Sequence, residues 1–97
     1  MVVSLLHCII QLEDITSLKE KRKIVQSLRQ KMRSRFYVSA AEVDLNESLT
    51  FTELGVAYVS NSRQKGDRVM QKVALFLENE TPGRIYDIQT HVEEYDR

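Results

Sequence analysis

Four segments of this chain have the pattern of apolar residues typical of strands, and two others have apolar residues at helical spacing. In residues 2–12 every even position except Ser4 is apolar, and so are the odd positions Val3, Leu5 and Ile9. A strand with two apolar faces is usually central in its sheet. Residues 36–43, 51–60 and 85–95 predict three further strands. In the last of these, the alternation predicts that Tyr86, Ile88, Thr90 and Val92 face inward.

Two segments carry the signals of amphipathic helices. Ser17 and Glu20 form a capping box, which predicts a helix from Ser17 to near Ser34. Its apolar stripe consists of Leu18, Ile24, Val25, Leu28 and Met32. Asn61 with Gln64 gives a weaker capping signal, and apolar residues over 69–77 predict a second helix that ends before the Thr-Pro-Gly of residues 81–83.

The element order is therefore β-α-β-β-α-β, the split βαβ arrangement of ferredoxin-like domains. We expect one α+β domain over residues 1–97, because a chain of 97 residues has no room for two domains. Right-handed crossovers predict a four-stranded antiparallel sheet in the order 4-1-3-2 with both helices on one face. The other face stays open, and Val3, Leu5 and Ile9 on it predict a contact between subunits, since monomers rarely expose contiguous apolar patches.

The charges of the chain are unevenly distributed. Fourteen basic and fourteen acidic residues give a formal net charge of zero. Residues 17–35, however, hold eight basic residues and a single acid, Glu20. Charge sorted in this way creates a local field on a neutral molecule.

The basic helix is predicted to carry the binding function. Lys19, Arg22, Lys23, Arg29 and Arg33 fall opposite its apolar stripe. Lys and Arg neutralise phosphates through counterion release, and structured RNA is recognised largely through its backbone and shape. Lys21 points into the apolar stripe, which predicts either a snorkelling side chain or an ammonium at the mouth between helix and sheet. Arg63 and Lys65, in the first turn of the second helix, extend the expected contact.

Two other interpretations of the basic helix stay open. A charged run is usually a solvated helix face that keeps a protein soluble. Alternatively, the helix meets an acidic protein surface, including the chain's own C-terminal strand in a neighbouring copy. The chain after Leu77 carries six acids against two basic residues.

Three short motifs together resemble the YlxP-like family, small bacterial proteins of unknown function. They are Ser-Leu-Lys-Glu-Lys-Arg at residues 17–22, Ala-Glu-Val-Asp at 41–44 and Glu-Leu-Gly-Val-Ala at 53–57, followed by Val-Ser-Asn at 59–61. The resemblance implies a ferredoxin-like fold, a cytoplasmic location and a role associated with the ribosome or with RNA. It supplies no catalytic residues.

Other function classes find no support in the sequence. It has no glycine-rich phosphate loop, metal-binding helix motif or nucleophile elbow, so we expect neither an enzyme nor a cofactor. His7 and His91 fall on neighbouring strands without a third ligand, so no metal site is predicted. A small-molecule sensor is the third possibility, which no loop favours. No apolar run approaches the roughly 20 residues of a membrane helix, and the single Cys8 fits a reducing cytosol.

Overall fold

The computed structural model describes residues 1–96, which form four strands and two helices in the expected order. The elements are β1 (Val2–Leu12), α1 (Leu18–Phe36), β2 (Ser39–Asp44), β3 (Phe51–Ser60), α2 (Arg63–Glu80) and β4 (Gly83–Glu94). The strands make one antiparallel sheet in the order β2-β3-β1-β4. This is the predicted order 4-1-3-2 counted from the other edge, so the ferredoxin-like arrangement is confirmed.

Burial along the central strand alternates and shows which face the helices cover. The even residues from Val2 to Leu12 are buried, whereas the odd residues are half-buried or exposed. The even residues from Leu6 to Leu12 join a single core with buried side chains of both helices, among them Val25, Leu28, Met32, Val73 and Leu77. Both helices therefore pack on one face, and we call the other face, which bears the odd residues of β1, the open face. Neither helix among residues 1–96 is long and apolar enough to cross a membrane.

Helix α1 begins as predicted and ends later than predicted. The Ser17 side chain accepts a hydrogen bond from the backbone N–H of Glu20, as a capping box requires. The expected end near Ser34 and the strand start at residue 36 are wrong, because Phe36 still belongs to the helix. Its ring packs edge-to-face against Phe76 of α2, with centroids 5.8 Å apart, and Tyr37 then ends the helix in the left-handed region at φ 56°.

The second helix is capped one residue later than the sequence indicates. Ser62, not Asn61, takes the N-cap position, and its side chain accepts from the backbone N–H of Lys65. After α2, Gly83 has φ 149°, and a Cβ there would lie 2.1 Å from the carbonyl oxygen of Gln11. The connection between α2 and β4 therefore requires glycine at this position.

A β-bulge in β4 overturns the predicted inward orientation of Tyr86. The pairing of β1 with β4 shifts between Ile9 and Ile10, so that Ile9 pairs with Asp87 and Ile10 with Ile85. Ile85 packs against the core, whereas Tyr86 is 63% exposed and meets the ring of Phe51 edge-to-face at 5.6 Å. The extra residue places Tyr86 on the open face.

β1 and α2 approach each other closely at Ser4 and Gly66, so a change of size at either residue affects the space left for the other. The Ser4 hydroxyl is buried, without a hydrogen-bond partner among residues 1–96. It lies beneath Gly66, where an added Cβ would be 2.2 Å from Ser4 Oγ. Helix α2 can therefore approach the sheet only while residue 66 has no side chain.

We expect Gly66→Ala to lower the free energy of unfolding by roughly 1–3 kcal/mol, because the clash outweighs the gain in helix propensity. Ser4→Gly should remove most of that cost in the double variant. Urea unfolding of the two single variants and the double variant measures this coupling. Additive effects of the two substitutions would show that the helix moves aside instead.

Candidate nucleic-acid interface

Five cations of α1 form what we call the cationic surface: Lys19, Arg22, Lys23, Arg29 and Arg33. Arg29 is half-buried and the other four are exposed. Among residues 1–96, no carboxylate lies within 4.0 Å of any of the five, since the ion pairs found there are His7–Glu53, Lys21–Glu42 and Arg35–Glu80. The positive charge of this surface is therefore not neutralised within the described chain.

Two arginines of the cationic surface are fixed against the free edge of the sheet. β2 is an edge strand, and the Ala40 carbonyl accepts from Arg29 Nε at 3.1 Å and from Arg33 Nη2 at 3.2 Å. A neutral carbonyl orients both guanidinium groups without cancelling their charge. Beside them, a groove of about 390 Å³ runs between α1 and β2 and is lined by Arg22, Val25, Gln26, Arg29, Ala41, Glu42 and Asn46.

Lys21 does not belong to this surface, and its predicted contact with nucleic acid is wrong. The residue is 1% exposed. Its ammonium donates to the carbonyls of Leu45 and Ser48, both at 2.6 Å, and of Phe51 at 2.8 Å. It also lies 3.2 Å from a carboxylate oxygen of Glu42. The side chain does not snorkel, because these acceptors satisfy its charge inside the protein.

Two carbonyl acceptors of Lys21, those of Leu45 and Ser48, lie in the connection between β2 and β3, and the third, Phe51, begins β3. Leu45 has φ 63°, a conformation that non-glycine residues adopt only when their surroundings hold them there. The Ser48 side chain accepts from the backbone N–H groups of Thr50 and Phe51. The signal in the sequence was a lysine at the centre of an apolar stripe, but sequence alone did not reveal which carbonyls it would meet.

Arg63 and Lys65 are exposed in the first turn of α2, away from the helix contact. The side chains of α1 meet the other end of α2, through Phe36 with Phe76 and through Arg35 with Glu80. Phe76 lies about 20 Å along the helix from Arg63 at 1.5 Å per residue. The structure thus brings the five cations of α1 together but does not join Arg63 and Lys65 to them in one stripe.

The remaining reactive groups do not assemble a catalytic or metal site among residues 1–96. Burial, and after it the Asp87 carboxylate, raise the pKa of the Cys8 thiol from 9.0 to about 12, so the nucleophilic thiolate is not formed at neutral pH. His7 Nε2 lies 3.0 Å from Glu53. The described residues contain no group of three or more His, Cys, Asp or Glu side chains suited to a metal ion.

The three residues predicted to form a subunit contact, Val3, Leu5 and Ile9, lie on the open face. Leu5 is 37% exposed, and Val3 and Ile9 are half-buried. A hollow of about 640 Å³ is lined by Leu5, by the small residues Ala41, Gly55 and Ala57 of β2 and β3, and by Arg33. Val43, Val59 and Tyr86 are further large apolar side chains exposed on the open face, at 53%, 61% and 63%.

Comparison with known proteins agrees with the resemblance in the sequence. A family model described as "Protein of unknown function (DUF503)" matches residues 3–90. The uncharacterized protein YlxP of Bacillus subtilis (strain 168) is 33% identical over 73 residues, which cover 75% of this chain and 77% of that protein.

Solved structures with little sequence similarity share the fold. An acylphosphatase from Bacillus subtilis has a TM-score of 0.57 at 8% identity, covering 98% of this chain and 88% of its own. A de novo designed protein with a ferredoxin fold has a TM-score of 0.54 at 12% identity, covering 100% and 88%. At such identities the likeness shows the fold alone.

We expect Lys21→Met to lower the free energy of unfolding by roughly 3–5 kcal/mol, because Glu42 and several carbonyls lose their buried partner. The neighbouring Arg22→Met is the control and should change it by less than about 0.5 kcal/mol, since Arg22 is exposed. Urea unfolding measures both. Adding Glu42→Gln to Lys21→Met should recover part of the lost stability. A Lys21→Met variant as stable as the Arg22→Met control would contradict the role given to the ammonium.

Proposed function

The chain belongs to the DUF503 family of proteins of unknown function, and we propose that it binds structured RNA through the cationic surface of α1. The protein acts in the cytoplasm as a binding protein rather than an enzyme. The partner expected from the sequence is ribosomal RNA or a pre-ribosomal particle.

The observation that supports this proposal is the absence of carboxylate partners around the cationic surface within residues 1–96. A solubilising helix face commonly pairs its cations with nearby acids, and such pairs would leave little charge for a polyanion. Here Asp87, Glu93 and Glu94 lie on β4, and Glu42, which lines the groove beside Arg29, is bound by Lys21 and Thr52. Helix α1 is about 28 Å long at 1.5 Å per residue, so its cations span several phosphates of a nucleic-acid strand.

The mode of binding follows from the residue types. The cationic surface contains no aromatic side chain, so it contacts the sugar–phosphate backbone and does not stack on bases. Phe51 and Tyr86 on the open face pack against each other, on the side of the sheet opposite the helices. We therefore propose recognition of RNA through its backbone and shape rather than its sequence.

The test is a matched pair of triple charge reversals. The first variant replaces Lys19, Arg22 and Lys23 with Glu and should no longer co-sediment with ribosomal subunits at low salt. The control replaces Arg68, Lys72 and Arg84 with Glu. It alters the net charge by the same amount at exposed positions away from α1 and should leave binding nearly intact. With about four phosphates contacted, log K for the unmodified protein should fall against log salt with a slope of roughly −3 to −4. Equal binding by both triple variants would remove α1 from the interface.

Binding to an acidic protein surface would give a different experimental result from binding to RNA. If the cationic surface instead meets an acidic protein surface, including the C-terminal strand of a second copy, the protein assembles without nucleic acid. Light scattering would then show particles that dissociate as salt is raised, since such charge contacts are screened. That result would overturn the RNA proposal.

A second property is favoured by a different observation, the apolar character of the open face. We propose that two copies of this chain associate through it. Four strands about 4.8 Å apart and about ten residues long give a face of roughly 600 Å² in projection, close to the roughly 800 Å² that each partner buries in a standard interface. The face also bears both signs of charge, as a two-fold contact requires, with Glu53, Asp87 and Glu93 alongside Arg84.

Analytical ultracentrifugation of Leu5→Glu and Leu75→Glu tests this association. Leu5 pairs with Ala57 and His91 on the open face, so a glutamate there should raise the dimer dissociation constant by about 100-fold or more. Leu75 is 58% exposed on α2, and its substitution should leave the dimer unchanged. An unmodified protein that sediments as a monomer at about millimolar concentration, or equal effects of both variants, would overturn the proposal.

A further inference from the structure

Arg29 and Arg33 are arranged differently from the other cations of the cationic surface. Both guanidinium groups donate to one oxygen, the carbonyl of Ala40, at 3.1 Å and 3.2 Å. Because both donor nitrogens lie just over 3 Å from the same atom, the two cations are held a few ångströms apart. Like charges this close repel each other, and the neutral carbonyl does not cancel that repulsion.

An anion between or beside the two groups would remove the repulsion. Each guanidinium has five N–H donors in a planar fork, and each uses one of them on Ala40. The remaining donors of Arg29 and Arg33 have no carboxylate partner among residues 1–96. Arginine forks whose orientation is already fixed bind a tetrahedral oxyanion with less loss of side-chain freedom than mobile ones.

The two arginines border different hollows, since Arg33 lines the hollow of the open face whereas Arg29 lines a polar groove that suits a phosphate. The groove beside Arg29 is open and bears polar groups of Gln26 and Asn46 as well as Arg22. Glu42 also lines this groove, but one of its carboxylate oxygens is bound by Thr52 and by the buried ammonium of Lys21. The negative charge of Glu42 is thus balanced by Lys21, whose buried ammonium approaches the carboxylate from the protein interior.

We propose that Arg29 and Arg33 form a phosphate site at the edge of β2, which takes one phosphodiester group of the bound RNA as a bidentate ligand. This inference rests on the proposed function and adds to it, because it assigns to two of the five cations a geometric role beyond their charge. Lysine at these positions would keep the charge but lose the fork. The other three cations act only through their charge.

Charge-conserving substitutions separate this site from the general electrostatic surface. The probe is a fluorescein-labelled RNA hairpin with a stem of about 16 base pairs, titrated at fixed salt. The double variant Arg29→Lys, Arg33→Lys should bind about tenfold more weakly, because bidentate guanidinium–phosphate contacts are lost. The control Arg63→Lys, Arg68→Lys preserves the charge at two exposed arginines of α2, outside the cationic surface, and should bind as the unmodified protein does.

The outcomes distinguish failure of this inference from failure of the proposed function. Equal affinity of both lysine variants would overturn the phosphate site, while loss of binding in the Lys19, Arg22 and Lys23 reversal would still support RNA binding through α1. Self-association of the Arg29→Lys, Arg33→Lys variant with unchanged affinity would show that the arginines only shield the edge strand. Competition by polyglutamate as effective as that by RNA of equal charge would overturn the assignment to phosphate.

A measurement without RNA gives a second, independent test. In ¹⁵N-edited NMR spectra, the Nε–H signals of Arg29 and of Arg68, an exposed arginine of α2, are compared during titration with inorganic phosphate at constant ionic strength. We expect the signal of Arg29 to shift in a saturable manner and that of Arg68 to stay in place. Equal small shifts of both signals would indicate general screening and would overturn the site. Circular dichroism of each variant establishes that it is folded before either comparison.

Discussion

The arrangement of one half of this molecule depends on the ion pair and the hydrogen bonds that the buried ammonium of Lys21 makes. The ammonium connects α1 to β2 through Glu42, to the connection before β3 through the carbonyls of Leu45 and Ser48, and to β3 through that of Phe51. A buried charge is tolerated only when it is paired and fully hydrogen-bonded, so the helix, the strand and the connection must all be in place together. The position of α1 over the sheet is fixed at its N-terminal end by this requirement.

This fixed position explains why two arginines reach the sheet edge further along the same helix. Arg29 and Arg33 lie two and three turns after Lys21 at 3.6 residues per turn, on the side of α1 that borders β2. Their common acceptor, Ala40, is in the strand that also provides Glu42. The interior contact and the surface contact are thus made by the same pair of elements, and the first positions the second.

The separation of charge between helix and sheet follows from the fold. Helix α1 carries the excess of cations, whereas acids dominate the exposed side of β4 and the open face. Because the sheet lies between them, the two surfaces point in opposite directions and do not neutralise each other. A neutral chain can therefore present a cationic surface to one partner and an apolar, mildly acidic surface to another.

The sequence predicted the fold well because its signals are local and periodic. The alternation in β1, the capping box at Ser17 and the breaker at residues 81–83 each depend on a few neighbouring positions. The errors arose at residues whose conformation or burial depends on tertiary contacts. Phe36 stays helical because of its contact with Phe76, Tyr86 turns outward because of a bulge, and Lys21 is buried because distant carbonyls surround it. The sequence also could not predict that Arg29 and Arg33 donate to the Ala40 carbonyl, because this contact depends on where a strand edge lies relative to a helix.

The close contact of Gly83 with the Gln11 carbonyl restricts how the length of this chain can vary. With α2 ending at Glu80 and β4 starting at Gly83, an inserted or deleted residue here would have to be absorbed by a slip of β4 along β1. A slip of one residue exchanges the two faces of a strand, which would turn Asp87 and Glu93 towards the helices and Ile88 towards the open side. Length changes among relatives of this protein are therefore expected in other connections, and the join between α2 and β4 should keep a constant length.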